Sequence, residues 1–271
     1  MAGMRELVFI QHEADIPPGT LADEAHAAGA TTRVIAAWEA GGIAALEDLG
    51  RTITAPGAGE RLAVVVLGGR ENAYSEERWP WIPATKDIIR ACATHDVPLV
   101  GVCLGMQLIA ATLGGAVACP ASAGPEYGVR MLRGSLEVDT AHTDENTQDT
   151  QDTSDSATGT DTLVVFEDHG DAVSVIPPGF TVTAVSGPAP DGAWTPSGVP
   201  GTTPDYPQVL RRGRITGVQF HPEVTPRIVH DFLADNDDVD REHIMADYLA
   251  HSDRIRAVAR KLVGQLLAPV V

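Results

Sequence analysis

The sequence predicts an α/β fold built on a mostly parallel central sheet, with antiparallel strands added in its second half. Three observations carry that expectation. Short, continuously apolar runs alternate with amphipathic stretches through residues 7–113, the pattern of strands buried on both faces and joined by helical crossovers. Past residue 129 the strand-like runs follow one another across Gly, Pro and Asp turns with few helices between them, which suits antiparallel pairing within the same sheet. The 271 residues, 44% hydrophobic and 21% charged, suffice for one large domain with a substantial core.

Each element has its own local reason. Leu7–Ile10 is a short apolar run and reads as the first buried strand. Pro17-Pro-Gly-Thr20 opens a helix that Leu21–Ala28 continues until Gly29. Thr31–Ala36 is β-branched enough for a second strand, Gly42–Leu49 is a short helix, and Arg51–Glu60 is a loop rich in Gly, Pro and Ala. Leu62–Leu67 is a third strand, closed by Gly68-Gly69, and Thr85–Thr94 is an amphipathic helix entered after Pro83. Pro98–Val102 forms a fourth strand, and Leu104–Leu113 is a helix directly after it. In the second half Val129–Val138, Leu163–Phe166, Phe180–Val185, Gln208–Arg211 and Ile215–Phe220 read as strands, and Arg227–Ala234 and Arg241–Leu267 as helices. The whole of 1–271 reads as a single domain with a C-terminal helical extension at 241–268.

One segment stands apart. Asp139–Thr162 is almost entirely Asp, Thr, Ser, Gln and Ala, with no Lys or Arg. It reads as a solvated, disordered acidic insertion, because it cannot bury enough apolar surface to offset its ordering entropy. Its acids lack the alternate spacing and central Gly of a calcium loop.

Composition excludes several classes. Nineteen basic against thirty-seven acidic residues give a net charge of −18, which argues against a nucleic-acid surface and against an anionic-membrane binder. Cys92, Cys103 and Cys119 form neither a disulfide framework nor a C-x-x-C metal pair. The odd count fits a reducing compartment. No stretch approaches the roughly 18 apolar residues of a membrane span, and the first ten residues run into a strand without a signal-peptide core. The expectation is a cytoplasmic protein without metal or cofactor.

The chemistry concentrates in Pro98-Leu-Val-Gly-Val-Cys103-Leu-Gly-Met-Gln107. A strand ends at Val102, a thiol follows, and a helix begins, so Cys103 sits on a tight strand-to-helix turn like a nucleophile elbow. There the side chain projects above the carboxyl edge of the sheet, where open α/β sheets bind ligands. The helix N-terminus favours a thiolate, and the Leu104 amide points where an oxyanion would form. Gly101 and Gly105 permit the close chain approach. A thiolate needs a base and something to orient that base. Gln219-Phe-His221-Pro-Glu223 follows another strand, placing His221 at a strand end with Glu223 able to fix its tautomer.

Gly101-x-Cys103-x-Gly105-x-Gln107 together with Gln219-Phe-His221-Pro-Glu223 resembles the class I, or triad, glutamine amidotransferases, and within them the free-standing GMP-synthase-like group. The likeness extends to Val66–Tyr74, Trp79-Pro-Trp81, Pro125–Gly128 and His169-Gly-Asp171, covering roughly 5–235 apart from the acidic insertion. It implies a flavodoxin-like three-layer domain. It implies that Cys103 attacks the side-chain amide of glutamine, that His221 moves the proton, and that Glu223 orients His221. It also implies an oxyanion hole from the amides of Gly69 and Leu104, and substrate contacts from Gln107 and His169. Two positions depart from the pattern. Arg70 stands where relatives usually carry Pro, leaving φ free and adding a charge at the pocket rim. Asp168 stands where relatives usually carry Trp.

The bland readings apply elsewhere. Cys92, inside a helix, is core filling, and Cys119 before Pro120 is structural. His12, His26, His95, His142, His230, His243 and His251 have no partner motif and read as surface or packing histidines. His169 either lines the pocket or caps a turn, and Trp79 and Trp81 are core wedges rather than substrate contacts.

Three functions remain distinct at this stage. One is glutamine hydrolysis with ammonia passed to a synthetase or acceptor on another chain, since no Gly-x-x-x-x-Gly-Lys phosphate loop is present. Another is hydrolysis of γ-glutamyl amides or peptides by the same triad. The last is a catalytically silent binding module.

Overall fold

The structure is a computed structural model that describes residues 5–122, 124–137, 162–186, 206–234, 236 and 239–269. The acidic stretch 139–162 lies outside the described residues except for Thr162. In chain order the elements are β1 (Glu6–Gln11), α1 (Gly19–Ala27), β2 (Thr31–Ala36), α2 (Gly42–Ile53), α3 (Ala58–Arg61) and β3 (Leu62–Val66). Next come α4 (Trp81–Thr94), β4 (Leu99–Val102), α5 (Leu104–Thr112), β5 (Ala116–Ala118), β6 (Glu126–Gly134) and β7 (Thr162–His169). The chain continues through β8 (Ala172–Val175), β9 (Thr181–Ser186), β10 (Pro207–Arg212), β11 (Ile215–Val218), α6 (Pro226–Ala234) and α7 (Arg241–Leu267).

Among the described residues the main sheet has nine strands in the order β2-β1-β3-β4-β11-β10-β9-β6-β7. The first five are mutually parallel and reproduce the 2-1-3-4-5 order of flavodoxin-like folds. From β11 outward every pair is antiparallel. Strands β5 and β8 pair separately, antiparallel.

The layers follow from alternation along the strands. Val8, Ile10, Val64 and Val66 face α2, α4 and α5 through Leu46, Leu49, Ile82, Ile89 and Ile109. Leu7, Phe9, Ala63 and Val65 face the opposite way, against Leu21 of α1 and Val258, Leu262 and Leu266 of α7. Both faces of the parallel half are therefore dry, as its continuously apolar strands require. A third cluster joins β7 to α6 and α7 through Phe166, Phe232 and Tyr248. No described helix is long and apolar enough to cross a membrane.

Some boundaries differ from the sequence reading. Helix α2 runs to Ile53 and α3 forms at Ala58–Arg61 inside the expected loop. Gly50 did not stop α2; it lies within the helix, packed toward Ile88 of α4. Helix α4 begins at Trp81, with Pro83 in its first turn, where a missing N–H costs nothing. Strand β6 begins at Glu126, three residues before the expected start, and carries Gly128 at φ 77° within it. Strand β8 was not expected, and β5 only as a strand ending at Cys119.

Candidate active site

Four parallel strands stop at one edge, and their ends lie side by side. Strand pairing sets Ile10 against Val66, Val66 against Gly101, and Val102 against Val218. The residues that follow are His12, Gly68 with Gly69, Cys103, and Gln219 to His221. Cys103 N–H donates to the Val218 carbonyl at 2.8 Å, which fixes the turn to its neighbour strand.

Cys103 has φ 50° and ψ −108°, a conformation that an L-residue holds at a cost of about 1–3 kcal/mol. The turn is forced by close packing beneath it. A Cβ on Gly105 would come within 2.1 Å of the Val66 carbonyl oxygen, and one on Gly101 within 2.5 Å of the Gly105 backbone. Helix α5 thus starts directly against β3 and β4, and Leu104 is its first residue, with an N–H that no intrahelical carbonyl takes.

His221 and Glu223 are both buried. His221 donates from Nδ1 to Glu223 Oε1 at 2.7 Å. Its Nε2 lies 3.3 Å from the main-chain carbonyl of Asp168, and Cys103 Sγ lies 3.9 Å from the same oxygen. A Cβ on Gly68 would sit 3.1 Å from His221 Cε1 and 3.6 Å from Cys103 Cβ. Imidazole and thiol therefore share one corner. Burial pulls His221 toward the neutral form, but the Glu223 carboxylate and Cys103 together hold it well above the usual histidine range. A ring with acceptors at both nitrogens is consistent with that direction. Gln219 Nε2 donates toward Cys103 Sγ at 3.7 Å.

The cavity above the sulfur measures about 450 Å³ and is lined by Gly69, Arg70, Cys103, Gln107, His169 and His221, among others. Leu104 and Glu223 stand behind it, fully buried. Gln107 donates from Nε2 to the Asp171 carbonyl at 3.1 Å and toward Gln219 Oε1 at 3.5 Å. His169 does line the cavity. Its Nδ1 faces the Asp171 carbonyl at 3.0 Å and its Nε2 lies 3.1 Å from Glu126 Oε2. That carboxylate oxygen also accepts from Ser186 at 2.9 Å and Gln208 at 2.8 Å.

Glu126, Glu167 and His169 bring donor atoms within 4.8 Å of one another. Among the described residues they are the set that could converge on a metal, but Glu126 Oε2 is already occupied by protein donors. Burial, then the neighbouring Glu126, pushes the Glu167 carboxyl well above the usual range.

Sequence reasoning missed several participants. His12 is buried, stacks on Trp81 with ring centroids 4.4 Å apart, and donates from Nδ1 to the Gly68 carbonyl at 3.3 Å. Its position directly after a parallel strand was the available signal. Glu126 and Gln219 lie inside quoted motifs but had no assigned part. Trp81 packs in the main core with Trp79 against it, away from the cavity lining.

A GMP synthase [glutamine-hydrolyzing] from Thiobacillus denitrificans is 31% identical over 177 residues, covering 62% of this chain and 28% of that protein. One from Mycobacterium tuberculosis is 31% identical over 187 residues, covering 65% and 28%. The chain spans less than a third of the length of these curated relatives. A glutamine amidotransferase structure from Thermotoga maritima superposes with a TM-score of 0.70 at 21% identity, covering 98% of this chain and 99% of that one. Another from Methylobacillus flagellatus gives 0.63 at 20%, covering 98% and 93%; both show the fold. The family described as Glutamine amidotransferase class-I matches residues 51–237. Matched over more than half its length, the chain belongs to the class I glutamine amidotransferases.

Proposed function

We propose that the protein hydrolyses the side-chain amide of glutamine through a γ-glutamyl thioester and releases ammonia for an acceptor on another chain. The observation that carries this is the meeting of Cys103, on its strained turn, with the buried His221–Glu223 pair beside one carbonyl oxygen. The relatives named above are glutamine-hydrolysing enzymes, and that property, not their nucleotide product, is what we carry over.

His221 takes the Cys103 proton, leaving a thiolate beside an imidazolium. The sulfur attacks the amide carbon, and the negative charge moves to the amide oxygen. The N–H groups of Gly69 and Leu104 hold that oxyanion; each such donor contributes about 3–4 kcal/mol in comparable sites. His221 then gives its proton to the departing nitrogen, and ammonia leaves. Water attacks the thioester, His221 accepts its proton, and the sulfur leaves as thiolate with glutamate as product. Glu223 keeps Nδ1–H engaged so that Nε2 faces the reaction throughout. Gln107 and His169 line the volume in which the glutamine backbone would rest.

The test is a panel of glutamine, γ-glutamyl amines and γ-glutamyl peptides, assayed with wild type and Cys103→Ala. Glutamine is the expected best substrate, and Cys103→Ala lowers its hydrolysis by roughly 10⁴-fold or more. Equal hydrolysis by Cys103→Ala would remove the thioester route. A clear preference for a γ-glutamyl amine or peptide would keep the residues and change the substrate. A wild type inert on the whole panel, alone and with a candidate synthetase added, would favour a silent binding module.

A further inference from the structure

The segment after β1 and the loop after β3 are joined at both ends of the Gly68–Arg70 stretch. At one end the buried His12 ring donates from Nδ1 to the Gly68 carbonyl at 3.3 Å. At the other, Glu13 Oε1 accepts the backbone N–H of Arg70 at 2.5 Å, and its second oxygen takes the Arg70 guanidinium. Asp15 accepts from the same guanidinium, at 3.1 Å from Nη1 and 2.7 Å from Nη2. The acids themselves are held from behind, since Gln11 Nε2 donates to the carbonyls of Glu13 at 2.7 Å and Ala14 at 3.3 Å.

The consequence is directional. The Gly68–Gly69 peptide is trans, as is every described peptide except Cys119–Pro120, so its C=O and N–H point in opposite directions. With the carbonyl held on His12, the Gly69 N–H must point away from His12. Two consecutive glycines would otherwise leave this peptide free to rotate.

We propose that His12 and the Glu13–Arg70–Asp15 cluster are positioning residues that lock the Gly68–Gly69 peptide with its N–H aimed at the reacting oxygen. Arg70 then serves the loop and not a substrate carboxylate. This rests on the hydrolase reading above. The geometry is supported by the electrostatics. Burial drops His12 to about 4, only partly offset by the Gly68 and Leu67 carbonyls, so the ring stays neutral with its one proton on Nδ1. Thr85 lies at 3.5 Å from Nε2, placed to donate its hydroxyl. The Arg70 hydrogen bonds hold Asp15 below the usual carboxylate range. The bidentate fork matches carboxylate geometry in a way a lysine does not.

The experiment has two arms on the full chain. Steady-state glutamine hydrolysis is measured for wild type, Glu13→Gln, Arg70→Met, Arg70→Lys and His12→Phe, which keeps the ring on Trp81. Backbone hydrogen exchange of the segment 67–71 is followed in the same proteins without substrate. Glu13→Gln, Arg70→Met and His12→Phe are each expected to lower kcat about tenfold, short of the 10²–10³ lost when an oxyanion donor is deleted outright, with KM within about twofold. Arg70→Lys recovers part of the loss, and Glu13→Gln with Arg70→Met together is no worse than either alone. Exchange at 67–71 accelerates while the core strands stay protected. A raised KM at unchanged kcat in Arg70→Met would overturn the proposal in favour of substrate binding. Unchanged exchange in all variants would show that the loop holds itself. If wild type has no activity, the hydrolase reading fails, and the exchange arm still decides whether these residues hold the loop.

Discussion

On the parallel side of the sheet, β1, β3, β4 and β11 stop at one edge; the ends of β3, β4 and β11 hand the cavity Gly69, Cys103 and His221, and the end of β1 sets His12 behind it on the Gly68 carbonyl. On the antiparallel side, β6, β7, β9 and β10 contribute from within their pairings. Glu126, Ser186, Gln208 and His169 bond to one another across neighbouring strands, and the Asp168 and Asp171 carbonyls face the site. The first side exposes chain ends, where backbone donors and side chains are free to react. The second buries a polar network whose donors converge on Glu126 Oε2. The difference separates chemistry from support: parallel strand ends supply the reacting groups, and the antiparallel flank fixes what they lean on.

The sharpest way to break that division is Glu223→Gln, which follows β11. The amide still accepts from His221 Nδ1, so packing is kept, but the charge that raises His221 is lost. We expect kcat to fall by about 10²–10⁴ with little change in the urea midpoint. The pH profile supplies the sign. A histidine held above its ordinary range stays protonated as pH rises past 6.5 and gives up its proton only through the raised value. The alkaline limb of the rate reports that loss, so in Glu223→Gln it moves to lower pH. An alkaline limb that stayed in place would mean another group carries the proton.

What the sequence made legible follows the same line. The Cys103 elbow is local: a strand, a thiol and two glycines within five residues fix its geometry. His221 and Glu223 were legible because two residues place them together after a strand. The mostly parallel sheet was legible from apolar runs that only a doubly covered sheet tolerates, and its flavodoxin-like layering from the family resemblance. The Glu13–Arg70 contact spans 57 residues and has no local pattern, and an Arg beside paired glycines reads as a loose rim charge. Glu126 was hidden for a related reason. It lies in Pro125–Gly128, ahead of the strand expected from Val129, and it meets His169 only across the β6–β7 ladder. Side chains that act by reaching across strands leave no periodic trace.

Glu126→Gln tests the supporting flank. The substitution sets an amide N–H against donors from His169, Ser186 or Gln208 in a dry site, which costs about 1–3 kcal/mol. We expect a lower urea midpoint and a kcat reduced about tenfold, as the Asp168 and Asp171 carbonyls lose their fixed backing. Stability should therefore fall more than in Glu223→Gln, and turnover less. Wild-type stability with a 10³-fold loss of turnover would place Glu126 within the chemistry and erase the division.

The smallest expected effect lies where the two halves meet, at the backbone of residue 103 itself. Cys103→Ala and Cys103→Gly both delete the sulfur, so both abolish thioester chemistry, and they differ only in the Cβ at φ 50°. An alanine must still hold a conformation that costs an L-residue about 1–2 kcal/mol, whereas a glycine adopts it freely. Against this, glycine loses more chain entropy on folding, by about 0.5–1 kcal/mol. The strain is the larger quantity, so Cys103→Gly should unfold at a higher temperature than Cys103→Ala by a degree or a few, on the order of 0.5–1 kcal/mol. Calorimetry on the two inactive variants reads this directly. If Cys103→Ala is the more stable, the turn relaxes once the sulfur is gone, and its geometry is maintained by contacts to the thiol rather than by the packing of Gly101 and Gly105 beneath it.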